Sequence, residues 1–509
     1  MTVRLGEPLD FDQIVAVARG GEKVEIDRSA VERVVAARRV VEEAVAADRP
    51  VYGITTGIGH LANVRIAASE AIDLQRAIVR SHATAVGSAL RTDVVRAMML
   101  LKARTFAFGA SGVRLEVIER IVAMLNSGIH PVVPAQGSLG ASGDLALLAH
   151  LALPVMGEGM VERDGETEPA HDALADAGIE PLELSYKEGL SLVNGTEAML
   201  ALGILAIVGA EQLARVSDVT GAMSLEACLG TDRAFEARLI SLRAHRGSSI
   251  VAANLRALLE GSEIVASHRE SQHLVQDAYS LRCIPQVHGA YRDGTAYVRS
   301  VLEAELASAV DNPSVLSDDG EVLSSGNFHG ESLGLALDHL CVCGAGFATI
   351  SERRTARLVD PHMSNGLPAF LTHDPGRSSG FMLAQYTAAS LVSESRSLCW
   401  PASVDSIPTS AGQEDHVSMG MTSARRAEAV LDNSFRVLAI EALAAAQGLD
   451  LRGPLAPAAA SAAARAALRD LSPGLEEDRS LSSDIEAVNR LMGEGSFVRA
   501  AESAVGHLS

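Results

Sequence analysis

Several stretches of this chain carry an apolar helical period longer than the roughly 11–12 residues of a mean helix. They are Thr196–Ser217, Thr295–Val310, Glu331–Arg357, Met382–Ser397 and Ser423–Gln447. Helices of that length bury an apolar stripe by running alongside one another through a bundle, so the pattern predicts an all-α protein built on a long helical bundle. Composition agrees: hydrophobic residues reach 48% while aromatics are only 3%, and alanine and leucine, both strong helix formers, abound. The run "APAAASAAARAAL" at 456–468 is low in complexity, but its alanines make it a helix rather than a linker. Asn312-Pro313 closes the Thr295–Val310 helix, because proline cannot continue one.

The N-terminal part reads differently. After an amphipathic helix from Val31 to Ala47, "VYGITTGIGHLANVRI" (51–66) carries three glycines and two threonines and predicts an ordered loop. Helical texture resumes from Leu74 to Leu125, and a polar, acidic connection at Glu162–Glu180 marks the best boundary. The expected organisation is a loop-rich domain over 1–180, then a long helical bundle with C-terminal helices over 181–509.

Charge and cysteines narrow the function classes. With 43 Lys and Arg against 64 Asp and Glu, the net charge is −21, which argues against nonspecific nucleic-acid or anionic-membrane partners. Cys228, Cys283, Cys341, Cys343 and Cys399 are scattered and form no C-x-x-C pair, so neither a disulfide framework nor structural zinc is expected, and a reducing cytoplasm fits. The start "MTVRLGEPLDFDQ" lacks a signal-peptide pattern, and the apolar run around Ala198–Ala210 is shorter than the ~20 residues that span a bilayer.

Familiar signatures mislead here. "GIGHLA" (57–62) matches G-x-G-x-x-A but lacks the preceding strand and alternating βαβ pattern of a dinucleotide site. "LGASGD" lacks the strand and spacing of a nucleophile elbow. No metalloprotease, EF-hand or Walker A pattern occurs.

"GSLGASGDLALLAH" (137–150) is the exception. Attack of the Gly143 amide nitrogen on the Ala141 carbonyl carbon would close a five-membered ring. Loss of that water and of the Ser142 hydroxyl leaves an imidazolone bearing an exocyclic methylene, an electrophile. Glycine offers an unhindered nitrogen and the backbone freedom for closure, serine the leaving hydroxyl, alanine an uncrowded ring. The competing reading is a helix N-cap by Ser142 or Asp144 ahead of "LALLAHLAL".

Company decides between them. "VYGITTGIGHLA", "LQRAIVRSHA", "GSLGASGDLALLAH", "KEGLSLVNGTEAM", "QDAYSLRCIPQVHGA", "DNPSV", "SSGNFHGESL" and "TSAGQEDHVSMG" follow one another from Val51 to Gly420. In these segments the chain resembles the aromatic amino acid ammonia-lyases that carry a self-made 4-methylidene-imidazol-5-one (MIO), and within them most closely those acting on histidine. A second "GASG" at Gly109–Gly112 has no such neighbours.

The resemblance implies a fumarase/aspartase-like helical fold, with active sites shared among the subunits of a homotetramer. It implies elimination of ammonia from an aromatic α-amino acid, giving urocanate when the substrate is L-histidine. Tyr52 matches the family's base, in a loop that closes as a lid; Ala141, Ser142 and Gly143 match the MIO precursor; Tyr279 and Phe328 match aromatic neighbours of the group. Asn194, Gln276 and Arg282 match residues on the substrate side, Arg282 gripping its carboxylate with paired hydrogen bonds. Ser81-His82 and Glu414 match the histidine enzymes, and a carboxylate and an imidazole suit a ring that both donates and accepts. A neutral phenyl ring would leave Glu414 without a partner.

Each residue also has a plainer reading: Tyr52 a buried tyrosine, Arg282 half of an ion pair, Asn194 a turn residue, Phe328 core, His82 a satisfied core histidine, Glu414 an arginine's partner. Thr55, Ile58, Leu147 and Ser332 depart from the family pattern, the first two as lining of the lid. The rival functions are the same chemistry on tyrosine, phenylalanine or a modified histidine, an MIO aminomutase, or a catalytically silent helical scaffold.

Overall fold

The computed structural model describes residues 2–47, 49–67, 70–270 and 275–509. Helices hold 59% of the chain and strands 8%, so the fold is all-α. The long helices are Glu197–Ala227, Ile284–Leu306, Glu331–Val359, Met382–Leu398 and Gly420–Asp450. The second begins well before the expected Thr295, with Pro285 in its first turn, where a missing N–H leaves no helical bond unmade. Local chemistry sets other ends. Asp10 and Gln13 form a reciprocal capping box on helix Phe11–Gly20, and Gly21 closes it in the left-handed conformation.

Two helices, Glu197–Ala227 and Glu331–Val359, are long and apolar enough to cross a membrane, a length the short run at Ala198–Ala210 did not suggest. Of their apolar windows 78% and 72% is buried within the protein, which is how core helices of this composition behave.

The chain divides into two compact units, but not at 180. One comprises Met1–Leu205, Arg299–Asp338 and Pro401–Arg425; the other comprises Ala206–Val298, His339–Trp400 and Arg426–Ser509. Several of these divisions fall inside long helices, where composition gives no boundary signal. The acidic stretch expected to be the connection is structured instead. Strands Met160–Arg163 and Glu166–Pro169 pair antiparallel and helix Ala170–Asp176 follows.

Among the described residues every strand belongs to the first unit. Four small sheets form there: Thr2–Leu5 parallel to Lys23–Ile26; Val86–Ala89 on Pro134–Gln136; a three-stranded sheet of His130–Pro131, Met160–Arg163 and Glu166–Pro169; and Ser314–Leu316 on Glu321–Leu323. Two clusters in this unit matter for function. Ala37, Val40 and Val41 of helix Arg28–Ala46 pack with Ile54 and Val315, and Val51, Tyr186 and Val322 pack around them. Burying a side chain of Ile54's size contributes roughly 1.5–3 kcal/mol, so this cluster roots the 51–66 loop on either side of Tyr52. Ala141, Ala402, Val417 and Met419, with Leu139 against them, anchor the Ala-Ser-Gly bend in the same way.

Beneath the loop lies a buried ionic centre. Lys187 and Asp311 are buried and paired at 2.9 Å. Ser191 donates to the same Asp311 oxygen at 2.8 Å, and Asn194 donates through Nδ2 to the other at 3.1 Å. Burial lowers the Lys187 ammonium. It opposes ionisation of Asp311 as well, yet the Lys187 charge holds that carboxyl below its usual range. Breaking such a pair leaves an uncompensated buried charge. Lys187→Met is expected to destabilise the protein by about 3–5 kcal/mol, seen as a lower urea midpoint, and Asp311→Asn added to it should recover part of the loss.

Candidate active site

The Ala141-Ser142-Gly143 bend follows one left-handed glycine and ends on another, with φ +73° at Gly140 and +74° at Gly143. Gly143 pairs with Gly195 as an isolated bridge. The Asp144 N–H donates to the Gly195 carbonyl at 2.7 Å, and the Gly195 N–H donates to the Ser142 carbonyl at 3.3 Å. A Cβ on Gly143 would lie 1.9 Å from the Gly195 oxygen, so glycine alone fits. From the other side, the Gly140 carbonyl accepts from the Gly330 N–H at 3.2 Å and the Ser418 hydroxyl at 3.3 Å.

Asp144 stands at the N-cap of helix Leu145–Ala152, but its side chain does not cap that helix. One carboxylate oxygen instead accepts the Ala198 and Met199 N–H groups, at 3.0 and 2.9 Å, at the start of helix Glu197–Ala227. The other accepts the Ser138 hydroxyl at 2.8 Å. A helix N-terminus offers unsatisfied N–H groups and the positive end of its dipole. Burial nevertheless pushes the Asp144 carboxyl up to about 7, against the stabilising amide of Met199 and hydroxyl of Ser138.

Ser142 faces a cavity of about 360 Å³ that also brings in Tyr52, Ala141, Phe328 and Glu414, with Asn312, Ser325, Gln413 and His416 on its walls. The Ser111 of the second "GASG" is buried instead, and a Cβ on the Gly112 that follows it would lie 2.5 Å from Val41 and 3.0 Å from Val315. Tyr52 is half-buried rather than core, and its phenolic oxygen accepts the Gly59 N–H at 3.0 Å. Thr55 does not line the lid: it is buried and ties down the loop's root, donating to the Arg49 carbonyl at 2.6 Å and accepting from the Val51 N–H at 2.9 Å.

Asn194 lies beside Gly195 and hence beside the bend. Its side chain donates to Asp311 at 3.1 Å and to the Asn312 carbonyl at 3.3 Å, and its own carbonyl accepts from the buried Lys102. His82 ends helix Ala71–His82 and is not among the cavity's lining residues. Its Nδ1 lies 2.8 Å from the Ile78 carbonyl and 3.1 Å from the Ser81 hydroxyl; a carbonyl only accepts, so Nδ1 donates to it. Among the described residues Glu414 has no arginine partner; the Thr409 hydroxyl donates to its Oε2 at 2.7 Å.

Gln276, Tyr279 and Arg282 belong to the other unit and form a cluster of their own. Arg282 stacks over the Tyr279 ring, 4.6 Å from its centroid, and donates to the Gln276 side-chain oxygen. Among the described residues Arg282 Nε is buried without a hydrogen-bond partner, which leaves a donor suited to a carboxylate.

The residues missed from sequence are those that support rather than line the site: Lys102, Lys187, Asp311 and Thr409. Lys187, Asp311 and Thr409 lie within "KEGLSLVNGTEAM", "DNPSV" and "TSAGQEDHVSMG", but the 124-residue separation of Lys187 and Asp311 hides their pairing. Among the described residues no group of three or more His, Cys, Asp and Glu side chains could hold a metal ion. A larger cavity, about 910 Å³, lies in the second unit. Its Arg238, Arg256 and Arg269 are engaged by Glu236, the Phe235 carbonyl and Asp232.

Residues 9–470 match the aromatic amino acid lyase family. A histidine ammonia-lyase from Gloeobacter violaceus is 52% identical, covering 99% of this chain and 98% of that protein. The crystal structure of histidine ammonia-lyase from Trypanosoma cruzi superposes with a TM-score of 0.92 at 41% identity, over 99% of this chain and 96% of that one. Tyrosine aminomutase from Streptomyces globisporus superposes with a TM-score of 0.95 at 38% identity, over all of both chains.

The close approach at Gly143 is open to a direct test. Gly128 has nearly the same φ, +72°, but a Cβ there meets nothing within 4 Å. Alanine at either position carries a left-handed cost of roughly 1–2 kcal/mol. Gly143→Ala is therefore expected to lower the thermal midpoint clearly more than Gly128→Ala, the excess reporting the contact with Gly195.

Proposed function

Because the chain belongs to the aromatic amino acid lyase family, we propose that it eliminates ammonia from L-histidine to give urocanate. The observation that carries this reading is the cavity in which Glu414 joins Ser142, Tyr52 and Phe328. The 52% identity to a histidine ammonia-lyase supports the same substrate. A carboxylate on the wall of an aromatic-substrate site is useful to an imidazole N–H and costly beside a bare phenyl ring.

Ala141-Ser142-Gly143 is assigned as the precursor of an MIO group. The residues fit it: the bend is already tight, Ser142 opens on the cavity, and Gly143 has no room for a side chain. Gly195, Ser138 and Asp144 would cradle the group through the contacts they make with the bend. The MIO supplies an electrophilic carbon that engages a substrate whose leaving group is poor.

The remaining work falls to the chain's own side chains. Tyr52 is the base that takes the β-proton, in a loop whose closure excludes water. The Gly59 N–H, donating to the Tyr52 oxygen at 3.0 Å, favours the phenolate, the form in which Tyr52 accepts the β-proton and becomes the neutral phenol. Arg282 holds the substrate carboxylate, with Tyr279 stacked beneath it and Gln276 alongside. Asn194 is assigned to the substrate side next to the bend, and His82 to ring recognition. The reading includes a homotetramer with active sites shared between subunits, and a cytoplasmic protein with no nucleic-acid or membrane partner, which the charge of −21 and the scattered cysteines support.

Incubation with L-histidine, L-tyrosine and L-phenylalanine, following ultraviolet absorbance of each conjugated acid and released ammonia, tests the assignment. L-Histidine is expected to be preferred by at least about 100-fold in kcat/KM, as befits a site built around a hydrogen-bonding ring. Tyr52→Phe should cost at least about 100-fold in kcat with the thermal midpoint unchanged. Turnover of phenyl substrates alone, or a β-amino acid product, would overturn histidine elimination.

A further inference from the structure

The Glu414 carboxylate is held by a turn that no ordinary loop would choose. Ser410 and Ala411 are both left-handed, with φ +50° and +52°, and Gly412 follows at +86°. Two non-glycine residues in that region are each strained, and such strain persists only where surrounding contacts impose it. The turn folds Thr409 back onto Glu414. The two pair as an antiparallel bridge, with Thr409 N–H to Glu414 carbonyl at 2.9 Å and Glu414 N–H to Thr409 carbonyl at 3.3 Å. The Thr409 hydroxyl then donates to Glu414 Oε2 at 2.7 Å.

We propose that Thr409 is a positioning residue for substrate choice: its hydroxyl fixes Glu414 Oε2 and so aims Oε1 at the substrate's imidazole N–H. The inference rests on the reading of Glu414 as the ring's partner. A glutamate side chain is long and rotamer-rich, and an unheld one must lose that freedom on binding. A carboxylate with one oxygen already hydrogen-bonded is pre-organised, and its free oxygen has a set direction. The role belongs to the hydroxyl of Thr409 and not to its bulk.

Thr409→Val deletes the hydroxyl at constant shape, and the extended backbone of Thr409, φ −130° and ψ −179°, suits a β-branched residue. Four variants of the full-length protein carry the test: Thr409→Val, Thr409→Ser, Glu414→Gln, and Thr409→Val combined with Glu414→Gln. For each, KM and kcat on L-histidine, the Kd of urocanate by calorimetry, and the thermal midpoint are measured. Thr409→Val should raise KM and the urocanate Kd by roughly tenfold, change kcat less, and leave the midpoint in place. Thr409→Ser should restore both constants, and in the Glu414→Gln background Thr409→Val should have no further effect. Unchanged KM and Kd in Thr409→Val, an equal effect with and without Glu414, or no rescue by serine would overturn the role of Thr409. Glu414→Gln alone separates the two layers. If it leaves KM and Kd unchanged, the reading of Glu414 falls and Thr409 with it. If it alters them while Thr409→Val does not, only the role of Thr409 falls.

Discussion

Asp144 and the Gly143–Gly195 contact together hold the site. The carboxylate of Asp144 lies buried on the first N–H groups of helix Glu197–Ala227, and one residue earlier the backbone of Gly143 touches Gly195 with no space for a side chain. The long helix therefore begins where the Ala-Ser-Gly bend ends, and neither can shift without the other. A bend that is to react with itself must be held tight before it reacts, since ordering reactants in advance removes the entropic part of a barrier. Here the order comes from buried backbone contacts, which a loop on the surface could not supply.

The same logic runs outward. Asn194 adjoins Gly195 and is fixed at its side chain by Asp311 and at its carbonyl by Lys102. Asp311 is in turn paired with Lys187, and the following residue, Asn312, lines the cavity. The loop bearing Tyr52 is rooted by Ile54 and Val51 in a cluster that includes Val315, a few residues beyond Asp311. Tyr52, the Ala-Ser-Gly bend and Asn194 are thus set on one frame of buried contacts within the first unit. The Glu414 wall is held separately, by a strained turn.

Much of this could be read in the sequence, for physical reasons that differ from part to part. Helices announce themselves through apolar period, which is why Glu331–Val359 and Met382–Leu398 fall almost where expected. The role proposed for Ser142 could be suggested from sequence because Ala141 and Gly143, its partners in the proposed ring closure, are also its neighbours in the chain. Tyr52, Phe328 and Glu414 were legible through resemblance of their motifs to a family, and the cavity brings these three together with Ser142. What escaped was long-range. Asp144 looks like the cap of its own helix, and nothing local reveals that its carboxylate serves a helix more than fifty residues on. Lys187 and Asp311 each read as a charged residue near a turn, since a pairing across the chain leaves no periodic trace. The division into units also left none, because long helices pass through it.

On the proposed function, Ala141-Ser142-Gly143 converts itself into the electrophile of the reaction. The mass of the intact chain measures this most directly. Ring closure and loss of the Ser142 hydroxyl remove two waters in all, so the purified protein should weigh two waters less than its sequence requires, and Ser142→Ala should not show this loss. A wild-type chain at full sequence mass that still eliminates ammonia from L-histidine would rule out ring formation at Ala141-Ser142-Gly143 as the source of the electrophile.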